Sequence, residues 1–288
     1  MILRLFAIGL CIAPAVFAQR PTPTHANLVY AKVGDHELKL DIYMPQNASR
    51  PPLVVWVHGG GWRAGSKDNM PGGFLLARGY AIASISYRLS TVAQFPAQIE
   101  DCKAAVRWLR AHAAQYGYDA ARIGAWGASA GGHLVALLGT SGGVKDLDTQ
   151  HGHQEHSSRV QAVVDFYGPT DFTQMSKFPS KIDHDAPNSP ESLLLGGPVQ
   201  QNKDKAARAN PITYVSKDDP PFLIVHGDQD PLVPLHQSQL LEAALKKAGV
   251  PVQLVIIRGG GHGGPQFQDQ ERRGLITAFL DRHLKPAP

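Results

Sequence analysis

The sequence predicts an α/β fold: a mostly parallel central sheet flanked by helices, with a small cap or none. Three observations carry this reading. Short apolar runs alternate with segments of helical periodicity over most of the chain. Two hairpin-like runs precede that alternation. No internal repeat and no linker divides it. An antiparallel start followed by alternating strands and helices is the pattern of a sheet covered on both faces.

The chain has 288 residues, 43% of them hydrophobic and 18% charged. That is ordinary globular composition, and the length is enough for a substantial core. Residues 5–18 are apolar and follow a single positive charge, Arg4. The run falls short of the roughly 20 apolar residues of a membrane span. It ends Val16-Phe17-Ala18, with small residues at the −3 and −1 positions of a cut after Ala18. Residues 1–18 are therefore read as a signal peptide and 19–288 as a single α/β domain, exported to the periplasm or the medium with no stable membrane insertion. An uncleaved anchor or a buried first helix is the alternative. Cys11 does not mark a lipoprotein signal, because Leu10 stands where a small residue is needed.

Loss of Arg4 takes the formal net charge from +4 to +3. No stripe of Lys and Arg accompanies it, so nucleic acid is not an expected partner. Cys102 is then the one cysteine left, which excludes an intramolecular disulfide. It lies inside a helical pattern, where a small buried hydrophobe is the simplest role.

After a polar, proline-containing stretch at 20–27, strands are expected at 28–33 and 38–44, with Gly34-Asp35 as the turn between them. Leu53-Val-Val-Trp-Val57 is continuously apolar, as suits a strand buried on both faces. A strand at 81–87 and a helix at 99–116 follow, the helix with Cys102, Ala105, Val106 and Leu109 at helical spacing. Next come a strand at 122–126, a helix at 130–138 and strands at 160–166 and 222–225. A helix at 235–248 ends at Gly249, and the last strand (252–257) and helix (271–283) close the chain. Residues 142–158 are irregular. Residues 172–210, rich in Pro, Asp and Ser, are read as an insertion over the sheet edge.

Gly127-Ala-Ser129-Ala-Gly131 sits between a strand and a helix, the context that a nucleophile elbow requires. The turn is strained and crowded, so small residues must flank the serine. His58-Gly59-Gly60-Gly61-Trp62 follows the third strand. Consecutive glycines let the main chain approach a substrate and offer amides to a developing oxyanion. Gly60, Gly61 and Ala130 are the candidate donors, and His58 is read as an anchor for the loop. Trp62 either lines a substrate site or packs beneath the loop.

A serine hydroxyl needs a base. His262 stands in Gly259-Gly-Gly-His262-Gly-Gly264 after the last strand, where glycines let the loop bend the ring over the sheet end. It is preferred over His226, at a strand end, and His236, at a helix start. The acid that orients the base is expected in His226-Gly-Asp228-Gln-Asp230-Pro. Asp230 lies further out on the loop and is preferred; Asp228 suits the turn.

His58-Gly-Gly-Gly-Trp62, Gly127-Ala-Ser-Ala-Gly-Gly132, Asp230-Pro-Leu-Val and Gly261-His262-Gly263 together resemble the α/β-hydrolase superfamily. The branch resembled includes hormone-sensitive-lipase-like esterases and the bacterial carbohydrate and feruloyl esterases of the BD-FAE type. The order Ser129, Asp230, His262 is that of the α/β-hydrolases. The resemblance covers nearly the whole mature chain and implies hydrolysis of carboxylic esters without a cofactor. It points to short-chain or polysaccharide-linked acyl groups such as acetyl or feruloyl. One departure is the short stretch before His58, where lipase-like relatives carry a helical cap; this implies an open site.

His151-Gly-His153-Gln-Glu155-His156 has the look of a metal cluster. It falls in an irregular stretch and is read as a solvated loop, with no metal expected. Amide hydrolysis on the same residues, as in arylformamidases or prolyl-peptidase relatives, is the rival enzyme reading. A signal peptide disfavours the former and the lack of a preceding propeller the latter. A binding module on an inactive scaffold would lack the nucleophile or the base, and here both positions are filled.

Overall fold

The computed structural model describes residues 21–148 and 151–285. The expected signal peptide lies outside the described residues. Strands β1 (His25–Val33) and β2 (His36–Tyr43) open the fold as an antiparallel pair. There follow β3 (Leu53–Val57), α1 (Gly73–Leu76), β4 (Ala81–Ile85), α2 (Ala97–Ala111), α3 (Ala113–Tyr116), β5 (Ile123–Ala128) and α4 (Ala130–Thr140). Then come β6 (Ala162–Phe166), three short helices, β7 (Phe222–Gly227), α8 (His236–Lys247), β8 (Val252–Ile257) and α9 (Gln270–Leu284). The short helices are α5 (Phe172–Met175), α6 (Pro190–Leu195) and α7 (Lys203–Ala209).

These strands form one eight-stranded sheet in the order β1-β2-β4-β3-β5-β6-β7-β8. The β1–β2 and β2–β4 pairs are antiparallel and every later pair is parallel. Side chains along a strand alternate between faces, and the central strands are apolar on both. Val55 and Val57 of β3 join Phe222 and Ile224 of β7 in one core layer, under α2, α4 and α8. Val54 and Trp56, with Leu223 and Val225, join the other layer under α1 and α9. This two-sided burial explains why these strands read as unbroken apolar runs. Cys102 is fully buried in the first layer.

The strand order reverses around β3. The chain leaves β3 for β4 on one side, while β5 lies on the other. Loops diverging at such a switch point leave a crevice at the carboxyl ends of the strands. The 58–62 loop and Ser129 both stand there.

The helix expected at 99–116 is split at His112 into α2 and α3. The strand expected to end at Trp126 continues to Ala128, directly beneath Ser129. The larger difference concerns 172–210. It does not cover a sheet edge. Phe172 packs on Trp62, Leu194 accepts the Phe95 N–H at 2.9 Å, and Lys181 N–H donates to Pro231 O at 2.7 Å. The segment therefore bridges the loops that follow β3 and β7, as a small roof over the strand ends. Its apolar anchors are separated by polar turns, so it shows no long periodicity to read.

One buried acid belongs to this framework. Asp165 of β6 has no exposure; its Oδ1 accepts the Gly168 N–H at 3.0 Å and its Oδ2 has no partner. Burial pushes its carboxyl up to about 7. The folded chain then holds a proton that the unfolded chain releases near the ordinary value of 3.8, so stability falls as pH rises between the two. Asp165→Asn keeps an acceptor for Gly168 and should flatten a slope of at most about 1.4 kcal/mol per pH unit. Urea unfolding of both proteins across that pH range measures it; equal slopes would contradict the assignment.

Candidate active site

Ser129 links β5 directly to α4 with φ 57° and ψ −123°. A non-glycine residue in this region is strained. The turn is pinned where Ser129 N–H donates to Phe166 O at 2.8 Å. Its tightness brings α4 against β3, and a Cβ on Gly131 would overlap the carbonyl oxygen of Val57. Only glycine fits there.

His262 lies on the loop after β8, where Gly261 and Gly263 form a small bridge. Its Nε2 is 2.9 Å from Ser129 Oγ, and its Nδ1 is 2.7 Å from Asp230 Oδ2. A carboxylate only accepts, so Nδ1 carries the proton and Nε2 is free to accept from the serine hydroxyl. Asp230 Oδ1 accepts the N–H groups of Leu232 and Val233 at 2.8 and 2.9 Å. Burial alone would raise the Asp230 carboxyl. Hydrogen bonds from His226 and His262 outweigh it and hold the group well below the usual aspartate range. The three residues thus form a continuous chain of hydrogen bonds in which the imidazole can receive one proton and keep its charge next to a fixed anion.

The 58–62 loop is held from below. His58 is buried and stacks on Tyr87 at 4.3 Å, Tyr87 Oη donates to His58 O at 3.0 Å, and His58 Nδ1 lies 2.8 Å from Gly59 O. Gly60 and Gly61 adopt φ 107° and 58°. Both line a cavity of about 490 Å³ together with Ser129, Ala130 and His262. Ala130 opens α4, so its N–H has no acceptor within the helix. Trp62 borders the same cavity, yet its indole is only 1% exposed, donating to His133 Nδ1 at 3.3 Å and packing edge-on to Phe172. Of the two roles expected for it, packing is the one its side chain adopts.

The BD-FAE family model matches residues 40–245. The chain belongs to the BD-FAE family. Among relatives of this BD-FAE chain, the esterase LipQ of Mycobacterium tuberculosis (strain ATCC 25618 / H37Rv) is 34% identical over 75% of this chain and 51% of its own length. The chain spans about half the length of the curated relatives it matches. Among solved structures, a truncated carbohydrate esterase from gut microbiota superposes with TM-score 0.82 at 35% identity, covering 89% of this chain and 94% of that one. Esterase Est2 of Thermogutta terrifontis, solved with propionate bound, superposes with TM-score 0.76 at 29% identity, over 93% and 98% of the two chains.

Other expected residues fall elsewhere. Asp228 is exposed and accepts the Gly259 N–H at 2.7 Å, tying the loop after β7 to the one after β8. His236 stacks on Phe178 at 3.9 Å. Among the described residues no group of three or more His, Cys, Asp or Glu side chains is placed to hold a metal ion. No helix among the described residues is long and apolar enough to cross a membrane.

Tyr167 escaped sequence reasoning, and His226 was weighed there only as a rival to His262. Tyr167, with φ 43°, lines the cavity and packs its ring 4.6 Å from that of His262. His226 is fully buried. Its Nε2 lies 2.9 Å from Val233 O and 3.2 Å from Asp230 Oδ2, while its Nδ1 meets Ser238 Oγ at 2.7 Å. The proton therefore sits on Nε2, shared between a carbonyl and the carboxylate, and Nδ1 accepts from the serine. The His-Gly-x-x-Asp spacing was a usable signal, because a strand-end histidine four residues before a loop aspartate can reach back to it. His226→Phe should destabilise the protein by at least about 1–3 kcal/mol, since it strands buried polar partners. Chemical denaturation checks this, and an unchanged midpoint would show that His226 holds nothing.

Proposed function

We propose that this protein is an exported serine carboxylic ester hydrolase that acts on short-chain acyl esters, including acyl groups carried on carbohydrate. The observation that carries the reading is the unbroken hydrogen-bonded run Ser129–His262–Asp230 beside a cavity bordered by the 58–62 loop. Ser129 Oγ attacks the acyl carbon as His262 Nε2 takes the hydroxyl proton. Asp230 stabilises the resulting imidazolium, and the N–H groups of Gly60, Gly61 and Ala130 hold the oxyanion. The C–O bond to the alcohol breaks, and the alcohol leaves with the proton from His262. Water, deprotonated by His262, then attacks the acyl-enzyme, releasing the acid and restoring Ser129.

The relatives support the bond class, being named esterases and a carboxylic ester hydrolase. Est2 has been solved with propionate and with butyrate, which supports a short acyl group. The gut carbohydrate esterase supports a sugar-linked alcohol. The partly roofed cavity fits this scale: about 490 Å³ takes a small acyl group and one ring of an alcohol. Support for export comes from the apolar run behind Arg4 and its Val16-Phe17-Ala18 ending.

Ser129→Ala should lower kcat on p-nitrophenyl acetate by about 10⁶-fold while leaving the fold intact. Steady-state kinetics beside a thermal melt test this, and a variant that kept most of its activity would rule out Ser129 as nucleophile. A panel of acetyl, butyryl, octanoyl and feruloyl esters with acetylated xylan should show highest kcat/KM on acetyl and butyryl groups. Clear preference for octanoyl esters would defeat the short-chain reading.

A further inference from the structure

Acylation of Ser129 takes away one of the two moorings of the imidazole. In the resting site His262 is held by its Nδ1 bond to Asp230 Oδ2 at 2.7 Å and its Nε2 bond to Ser129 Oγ at 2.9 Å. The hydroxyl proton that makes the second bond leaves with the alcohol, and an esterified Oγ has no proton to donate. The ring must still stay over the site, because Nε2 has to take a proton from the attacking water. A single hydrogen bond leaves a ring free to turn about it. The backbone gives little further hold: Gly259, Gly260, Gly261, Gly263 and Gly264 surround His262 and carry no side chains to anchor the loop.

Tyr167 stands where that freedom would be used. It follows β6 directly, lines the cavity, and sets its ring 4.6 Å from the imidazole with the planes 58° apart. Its φ of 43° is a conformation that bulky residues rarely adopt, and such strain persists where the surroundings over-determine it. Here the Tyr167 N–H donates to Val225 O at 2.9 Å, and the ring of Phe267 meets the tyrosine ring edge-on at 4.8 Å. The histidine loop is moulded on the same side chain, since a Cβ on Gly263 would come within 3.1 Å of Tyr167 Oη. Backbone and side chain are thus both fixed, and the ring is a rigid surface rather than a loose neighbour.

We infer that Tyr167 is a positioning residue for deacylation: its ring keeps the imidazole of His262 over Ser129 while the acyl group is attached. The hydrogen bond from Ser129 does part of this work before the alcohol leaves, so the second half of the reaction depends on Tyr167 more than the first. This rests on the ester-hydrolase reading above and adds a residue outside the hydrogen-bonded run.

The test uses p-nitrophenyl acetate, whose good leaving group makes release of the acid the slower half, so that kcat reports deacylation and kcat/KM reports acylation. Tyr167→Leu and Tyr167→Met remove the flat ring. Each should lower kcat by about 10-fold or more and kcat/KM by less than about 3-fold, so that KM falls as well. A burst of p-nitrophenol should precede the slow turnover, with acetyl-enzyme visible by mass spectrometry of the quenched protein. Tyr167→Phe, which keeps the ring, should restore wild-type values. Equal falls in kcat and kcat/KM, with no burst, would mark a purely structural residue and overturn the inference. Unchanged kcat in the Leu and Met variants would overturn it too, as would a Phe variant as impaired as they are. Failure of the wild-type protein to turn over p-nitrophenyl acetate or to be labelled by a fluorophosphonate would instead remove the ester-hydrolase reading itself.

Discussion

The left-handed turn at Ser129 is the constraint from which the arrangement of the site follows. A residue held at φ 57° stores roughly 1–3 kcal/mol of strain, and it persists only because its surroundings over-determine it. Beneath it, β5 is locked between β3 and β6 by parallel pairing. Above it, α4 is buried along its length and cannot swing away. Between them, the Ser129 N–H is committed to Phe166 O. The same tight junction leaves the first amide of α4 without an acceptor and brings the 58–62 loop against the elbow, where a Cβ on Gly59 would press on Ala128 O. The positions of the Ser129 hydroxyl and of these amides are thus two outcomes of a single backbone geometry.

The second half of the site is built differently. Asp230 and His262 lie on loops after β7 and β8, with no helix to lock them. Their order comes from hydrogen bonding around one carboxylate. Asp230 receives two backbone amides and two imidazoles, so the charge that orients His262 is itself held by the loop it belongs to. Tyr167 adds a wall against the ring of His262. Strain positions the serine; saturation of an anion positions its partners.

How far the sequence could be read follows the same division. The sheet was legible because two-sided burial leaves unbroken apolar runs such as Leu53–Val57. Gly127 and Gly131 were legible because a crowded turn excludes every other residue type. Asp230 and His262 could be placed by chain order and by the glycines around them. Trp62 could not be assigned a direction, since a tryptophan after three glycines serves a cavity and a core equally well; its packing partners, His133 and Phe172, come from distant parts of the chain. What the roof covers was illegible for a related reason. Its anchors, Phe172, Leu194 and Lys181, attach to three separate places, so no periodicity reveals the arrangement.

That roof belongs entirely to the connection between β6 and β7. Neighbouring strands keep their register, Val163 opposite Phe222 through Phe166 opposite Val225, whatever the chain does in between. The elbow, the amide loop and the two loops bearing Asp230 and His262 all lie outside it. The roof and the candidate site residues are therefore separate pieces of chain. The roof can lengthen, shorten or be exchanged while the neighbouring strands keep their register.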